Sequence, residues 1–126
     1  MSTIQTQFEG NLTADPTPVR QTKSGIDVCN MRVAVNTRIE GENGWENGDT
    51  QYMDVVVWRS QAVNVAATLK KGQRVMVKGI TKQRTYTTKD GGTRYVTEVH
   101  AAEVGLSLRY HVAAGIEKAS EALAPA

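Results

Sequence analysis

Apolar and polar residues alternate with a period of two along most of this chain, the spacing of β-strands with one face covered. In Ile4-Gln5-Thr6-Gln7-Phe8-Glu9-Gly10-Asn11-Leu12, the residues Ile4, Thr6, Phe8, Gly10 and Leu12 share one face, and glutamine, glutamate and asparagine share the other. Asp15-Pro16-Thr17-Pro18 ends that run, because each proline lacks an N–H and restricts the residue before it. Lys23-Ser24-Gly25 supplies a second turn. The alternation returns from Ile26 to Thr37, with Cys29, Met31, Val33 and Val35 facing one way and Asn30, Arg32, Ala34 and Asn36 the other. Glu40 to Asp49 holds three glycines, two asparagines and four acids, and reads as a long polar loop. A third strand follows from Gln51 to Trp58, its run Val55-Val56-Val57-Trp58 suited to cover on both faces.

One internal segment changes period. Ala62, Val65, Ala66 and Leu69 repeat at helical spacing, and Gly72, after Lys70 and Lys71, reads as the helix terminator. Val75, Val77 and Gly79 then alternate into a fourth strand that runs as far as Tyr86. Asp90-Gly91-Gly92 is a strong hairpin signal, and a fifth strand extends from Thr93 to about Glu103. Five strands with one helix between the third and fourth is the element order of an OB-fold barrel, and closing the sheet removes edges that short strands leave open. The expected class is therefore all-β; sandwich and other small-barrel topologies fit the same pattern. Residues 1–107 form the expected domain, and 108–126 an alanine-rich tail. In that tail Tyr110, Ala113, Ala114, Glu117 and Glu121 are spaced for a short helix ended by Pro125.

The chain of 126 residues suits one core. No apolar run approaches the roughly 18 residues of a membrane span, and the N-terminus has no basic region followed by an apolar one. A cytoplasmic, nucleoid-associated protein is expected. Cys29 cannot form an internal disulfide, being the one cysteine, and inside an apolar strand it reads as a small buried hydrophobe rather than a reactive thiol. His100 and His111 have no cysteine or carboxylate at metal-ligand spacing. There is no phosphate-binding glycine loop or nucleophile elbow. Neither an enzyme, a metal site nor a cofactor is expected.

Charge is nearly balanced overall, at +2, but unevenly placed. Ile39 to Asp54 has five acids and no Lys or Arg, whereas Arg59 to Arg94 has nine basic residues against one acid, Asp90. Such asymmetry fits a polyanionic partner, and equally a basic solvated face. Single-stranded nucleic acid is held by cations on phosphates and aromatic faces on unpaired bases, so the two residue types must share a surface. On the fourth strand Lys78, Lys82, Arg84 and Tyr86 have one parity; Lys89, Arg94 and Tyr95 lie beside the hairpin turn. Tyr52 and Trp58 share a parity on the third strand, with Asp54 and Val56 between them. Trp58 beside three valines suits a core role as well as a surface one. Tyr86, between threonines in a basic run, reads as exposed, and Trp45 lies in the acidic loop.

Several segments in order resemble the bacterial single-stranded DNA-binding protein family. They are Gly10-Asn11-Leu12-Thr13-Ala14-Asp15-Pro16, Thr50 to Trp58, Leu69 to Gly79, Gln83-Arg84-Thr85-Tyr86 and Asp90 to Val99, collinear over residues 4–109. The resemblance implies non-sequence-specific coating of single-stranded DNA by an OB-fold, a mechanism that general accounts of strand binding illustrate with this very family. It places base-stacking aromatics at Tyr52, Trp58 and Tyr86, with phosphate contacts expected from Arg32, Lys78, Lys82, Arg84, Lys89 and Arg94. A fourth stacking position falls on Ile39, which has no aromatic face, and Met53 stands at a position near the family's subunit interface.

The resemblance also implies a homotetramer, with a dimer as the alternative. The long linker and acidic tip typical of the family are not found before Ala124-Pro125-Ala126, so recruitment of other proteins through such a tail is not expected. Roles in replication, recombination or repair follow from the family. An OB-fold interaction module of primosome type, whose main task is contact with replication proteins, is the competing expectation.

Overall fold

The computed structural model describes residues 4–42, 44–113 and 115. Its elements are β1 (Ile4–Leu12), β2 (Arg20–Gln21), β3 (Asp27–Gly41), β4 (Gly44–Trp58), α1 (Arg59–Thr68), β5 (Arg74–Thr87) and β6 (Thr93–Leu106). The sheet runs β1-β5-β6-β4-β3-β2, and β1 also pairs with β3. That extra pairing, Asn11 opposite Ala34 and Leu12 opposite Val33, closes β1, β5, β6, β4 and β3 into a ring. Among these ladders only β4–β6 is parallel, through Val55 opposite Val99 and Val56 opposite His100. The ring is the expected five-stranded barrel with α1 between its third and fourth strands, and β2 is a short addition outside it.

The inward parity is the one read from the sequence. Cys29, Val33, Val55, Val57, Val75, Val77 and Val99 are fully buried, and Leu12 and Met31 join them. Valine suits such a core because its branched Cβ packs well on a pleated surface. Met53 belongs to this inward set, packing half-buried against the core. The Cys29 Sγ lies 3.5 Å from the Ala62 carbonyl, and burial pushes its thiol pKa up, which keeps it protonated and unreactive. Helix α1 docks through Ala62 and Val65, and Leu69 follows it into the core. Gly10 and Gly79 stand where strands crowd: a Cβ at Gly10 would run into the Ala34 carbonyl, and one at Gly79 into the His100 carbonyl.

Two expectations are corrected, and a third falls mostly outside the described residues. The segment Glu40 to Asp49 is not a long loop: β3 continues to Gly41 and β4 begins at Gly44, so the two strands form one hairpin with Gly41 opposite Gly44. The turn uses Gly44 at φ 98°, where glycine alone is unstrained. Gly72 does not end the helix. The helix stops at Thr68, and Leu69 takes an extended backbone (φ −87°, ψ 147°) that drops its side chain into the core. Gly72, at φ 88°, instead shapes the following turn, in which the Gln73 N–H bonds the Lys70 carbonyl at 3.2 Å. The C-terminal helix is not seen where the chain is described, since residues 107–113 are irregular; Ala114, Glu117 and Glu121 lie outside the described residues. No helix among the described residues is long and apolar enough to cross a membrane.

Candidate nucleic-acid interface

The barrel's outer face carries the residues of interest, and strand register brings them side by side. On β3 and β4, Ala34 lies opposite Tyr52, Arg32 opposite Asp54, Asn30 opposite Val56 and Val28 opposite Trp58. On β5 and β6, Tyr86 lies opposite Arg94, Arg84 opposite Val96, Lys82 opposite Glu98 and Ile80 opposite His100. The parallel pair Val56–His100 joins the two halves. Where they meet is an open groove of about 290 Å³, lined by Asp15, Thr17, Asn30, Arg32, Asp54, Arg84, Val96 and Glu98 among others.

Tyr52 is 55% exposed, and the Arg32 guanidinium sits 4.6 Å from its ring centroid. The same guanidinium faces Asp54 at 3.9 Å, both groups being more than half exposed, so the pair is loose. Arg32 is therefore a cation already parked on an aromatic face and only lightly held by its carboxylate.

Trp58 is neither core nor free surface. Half-buried, it donates its indole N–H to Nδ1 of His100 at 3.0 Å, and the two rings stack at 5.8 Å between centroids and 21° between planes. Beneath this face Val28 and Val56 are buried, which accounts for the apolar run that suited cover on both sides. Arg59, directly after Trp58, has φ 62°, a left-handed backbone that costs a side-chain-bearing residue about 1–2 kcal/mol. The turn from β4 into α1 is thus strained beside Trp58, a recurrent feature of functional sites.

The hairpin of β5 and β6 carries Lys82, Arg84, Tyr86 and Arg94 outward, all exposed, with Tyr86 47% and Tyr95 68% accessible. Its tip is closed by Thr88 and Gly91: the Thr88 N–H bonds the Gly92 carbonyl at 2.8 Å, and Gly91 takes φ 85°. Asp90 accepts from the Thr88 hydroxyl, which, with backbone N–H bonds, holds its carboxyl below the usual pKa. Lys89 is exposed on this tip.

Tyr52, Trp58, Tyr86, Arg32, Lys82, Arg84, Lys89 and Arg94 all fall on the one outer face or its hairpin. Lys78 does not join them. It lies with Gln7, Met76 and Glu103 along a separate shallow groove, with β1 beside it. The side chains of Ile39 and Trp45 lie outside the described residues. The basic run read from the sequence is also diluted across the ladders: Lys78 lies opposite Glu103, Lys82 opposite Glu98, and Arg74 pairs with Glu9 at 3.0 Å.

Three residues of this face were not singled out as site residues from the sequence: Asp54 and Glu98, which line the groove, and His100, which bonds Trp58. The parity Arg94, Val96, Glu98, His100 was legible on the fifth strand, but the parallel pairing that sets His100 beside Val56 and Trp58 was not. No group of three or more His, Cys, Asp or Glu able to hold a metal ion occurs among the described residues.

A closed small barrel with one helix between its third and fourth strands, showing aromatic faces and cations on one outer face, has the architecture of the OB-fold class. The model of the single-strand binding protein family matches residues 4–107, and the chain belongs to that family. It is 48% identical over 103 residues to the single-stranded DNA-binding protein of Corynebacterium glutamicum, covering 80% of this chain and 45% of that one. Against its counterpart from Mycobacterium tuberculosis the identity is 45% over 113 residues, covering 88% and 68%. The chain thus spans about half the length of some curated relatives and two thirds of others. The crystal structure of a small single-stranded DNA-binding protein from Streptomyces coelicolor superimposes with a TM-score of 0.72 at 30% identity, covering 86% of this chain and 97% of that one.

Proposed function

We propose that this chain binds single-stranded DNA without strong sequence preference, through Tyr52, Trp58 and Tyr86 as base-stacking faces and Arg32, Lys82, Arg84, Lys89 and Arg94 as phosphate contacts. The observation that carries the reading is Arg32 seated 4.6 Å over Tyr52 at the mouth of the groove, an aromatic face and a cation already combined. Each stacked base is worth roughly 1–3 kcal/mol, with little preference among bases. Lys78 serves at most a path around the barrel, being placed on another face. The protein acts by binding and catalyses nothing. Residues 1–107 are the binding domain and 108–126 a tail. A homotetramer in the bacterial cytoplasm, coating strands exposed during replication, recombination or repair, is the assembly that the family supports.

The test is a titration with oligo-dT, followed by anisotropy of labelled DNA, on wild type, Trp58→Ala and Tyr86→Ala. Each substitution is expected to weaken binding about tenfold or more, the equivalent of one lost stack. Binding that ignores both substitutions would show the strand to lie elsewhere.

A further inference from the structure

Trp58 is held by a chain of polar contacts that crosses the outer face. An indole nitrogen can only donate, so the 3.0 Å contact from Trp58 makes Nδ1 of His100 an acceptor that carries no proton. The neutral ring then bears its hydrogen on Nε2, which donates to the Glu98 carboxylate at 3.0 Å. The same Glu98 oxygen faces the Arg84 guanidinium at 3.5 Å. Glu98 and His100 are largely buried side chains, 13% and 19% exposed, while Arg84 is open to solvent at 65%. The order Arg84–Glu98–His100–Trp58 therefore links a surface cation to an aromatic ring through two shielded groups.

We propose that His100 is a positioning residue: in its neutral form it fixes the indole of Trp58 in the pose that takes a base, and its protonation releases that pose. This rests on the reading above, in which Trp58 contacts DNA. A second proton can enter the ring only at Nδ1, the atom already accepting from Trp58. Two donors would then face each other, and the indole bond breaks. Glu98, on its own strand, is the charged group bonded to His100, and Arg84 on β5 faces the same Glu98 oxygen. Lys82 lies opposite Glu98 in the ladder, Asp54 on β4 lines the groove with Arg84 and Glu98, and Arg59 follows Trp58 in the chain. Glu98 accepts from the ring at 3.0 Å, and Arg84 shares the same carboxylate oxygen at 3.5 Å. A cation gained near a polyanion ordinarily tightens binding. Release of Trp58 acts in the opposite sense, so the sign of the pH effect separates the two.

The experiment follows the Trp58 indole N–H signal by NMR, assigned by its loss in Trp58→Phe, together with oligo-dT affinity between pH 5 and 8. Wild type, His100→Phe, His100→Asn and His111→Gln are compared at constant ionic strength. Wild type is expected to lose the hydrogen-bonded indole signal and to bind up to about tenfold more weakly as the pH is lowered from 8 to 5, the scale of one hydrogen bond. His111→Gln keeps that profile. His100→Phe retains an aromatic neighbour but no acceptor, and binds weakly at every pH. His100→Asn offers its amide oxygen near the place of Nδ1, and recovers affinity with a flat profile.

Wild-type affinity that is flat or rises on acidification overturns the proposal, with or without a folded His100→Phe. So does His100→Phe binding as tightly as wild type. Trp58→Ala that binds normally would defeat the reading of the site itself, whereas Trp58→Ala weakened beside unaffected His100 variants defeats only the positioning role.

Discussion

Arg59 is where local conformation and side-chain identity disagree most openly. Its φ of 62° lies in the left-handed region, at the first residue of α1 and directly after Trp58. No capping side chain supports that helix start, because Trp58 occupies the cap position and its side chain bonds no backbone group of the helix. Glycine has no Cβ to crowd the following carbonyl, so Arg59→Gly is expected to stabilise the fold by about 1 kcal/mol. The measurement is urea unfolding: the midpoint should rise with the slope unchanged. A lower midpoint would show that the arginine side chain contributes more than its backbone costs. Nothing in the amino-acid pattern marks this residue, since an arginine in a strand-to-helix turn looks unremarkable unless its backbone angle is known. Trp58 was legible as an aromatic sharing the parity of Tyr52, with core and surface roles both open, but its hydrogen-bonded neighbour was not legible.

At the scale of elements, the period of two located the barrel strands because each has one face in a valine-rich core. Cys29, Met31 and Val33 on β3, and Val75 and Val77 on β5, are buried on the parity expected. Periodicity failed where that cause is missing. The far halves of β3 and β4 pair with each other beyond Asn36 and Thr50, where polar residues and glycines dominate and no apolar stripe marks an inward face. Backbone hydrogen bonding forms such an arm without leaving a signature in hydropathy. The helix end was misplaced for a related reason: burial of Leu69 overrode the glycine signal at Gly72.

Gly79 tests how tightly the elements are pressed together. It lies opposite Ala101 at a register shift between β5 and β6, and a Cβ there would collide with the His100 carbonyl. Backbone cannot yield as a flexible side chain does, so Gly79→Ala is expected to cost about 1–3 kcal/mol by thermal or urea unfolding. Because the clash falls on the strand that carries His100, DNA affinity should fall too, even where the variant remains folded. Unchanged stability would mean that the two strands separate at that point at little cost.

For the whole molecule, the distribution of charge matters more than its sum. Fifteen basic residues stand against thirteen acidic ones, yet Arg32, Lys82, Arg84, Lys89 and Arg94 share the proposed DNA face. If all five released counterions on single-stranded DNA, log affinity would fall with log salt at a slope of about −3.5. Asp54 and Glu98 already face two of these cations, at 3.9 Å from Arg32 and 3.5 Å from Arg84, and phosphates must displace those carboxylates. A cation that exchanges one anionic partner for another releases less, so the slope expected is shallower, about −2 to −3 per chain. Asp54→Asn removes one competitor without removing a cation or an aromatic. It is expected to raise affinity at low salt by a few-fold, the size of a weak exposed ion pair, and to steepen the slope. A slope near zero would remove phosphate contact from the mechanism altogether. A steep slope that Asp54→Asn leaves untouched would place the phosphates away from Arg32, and with them the path of the strand across Tyr52.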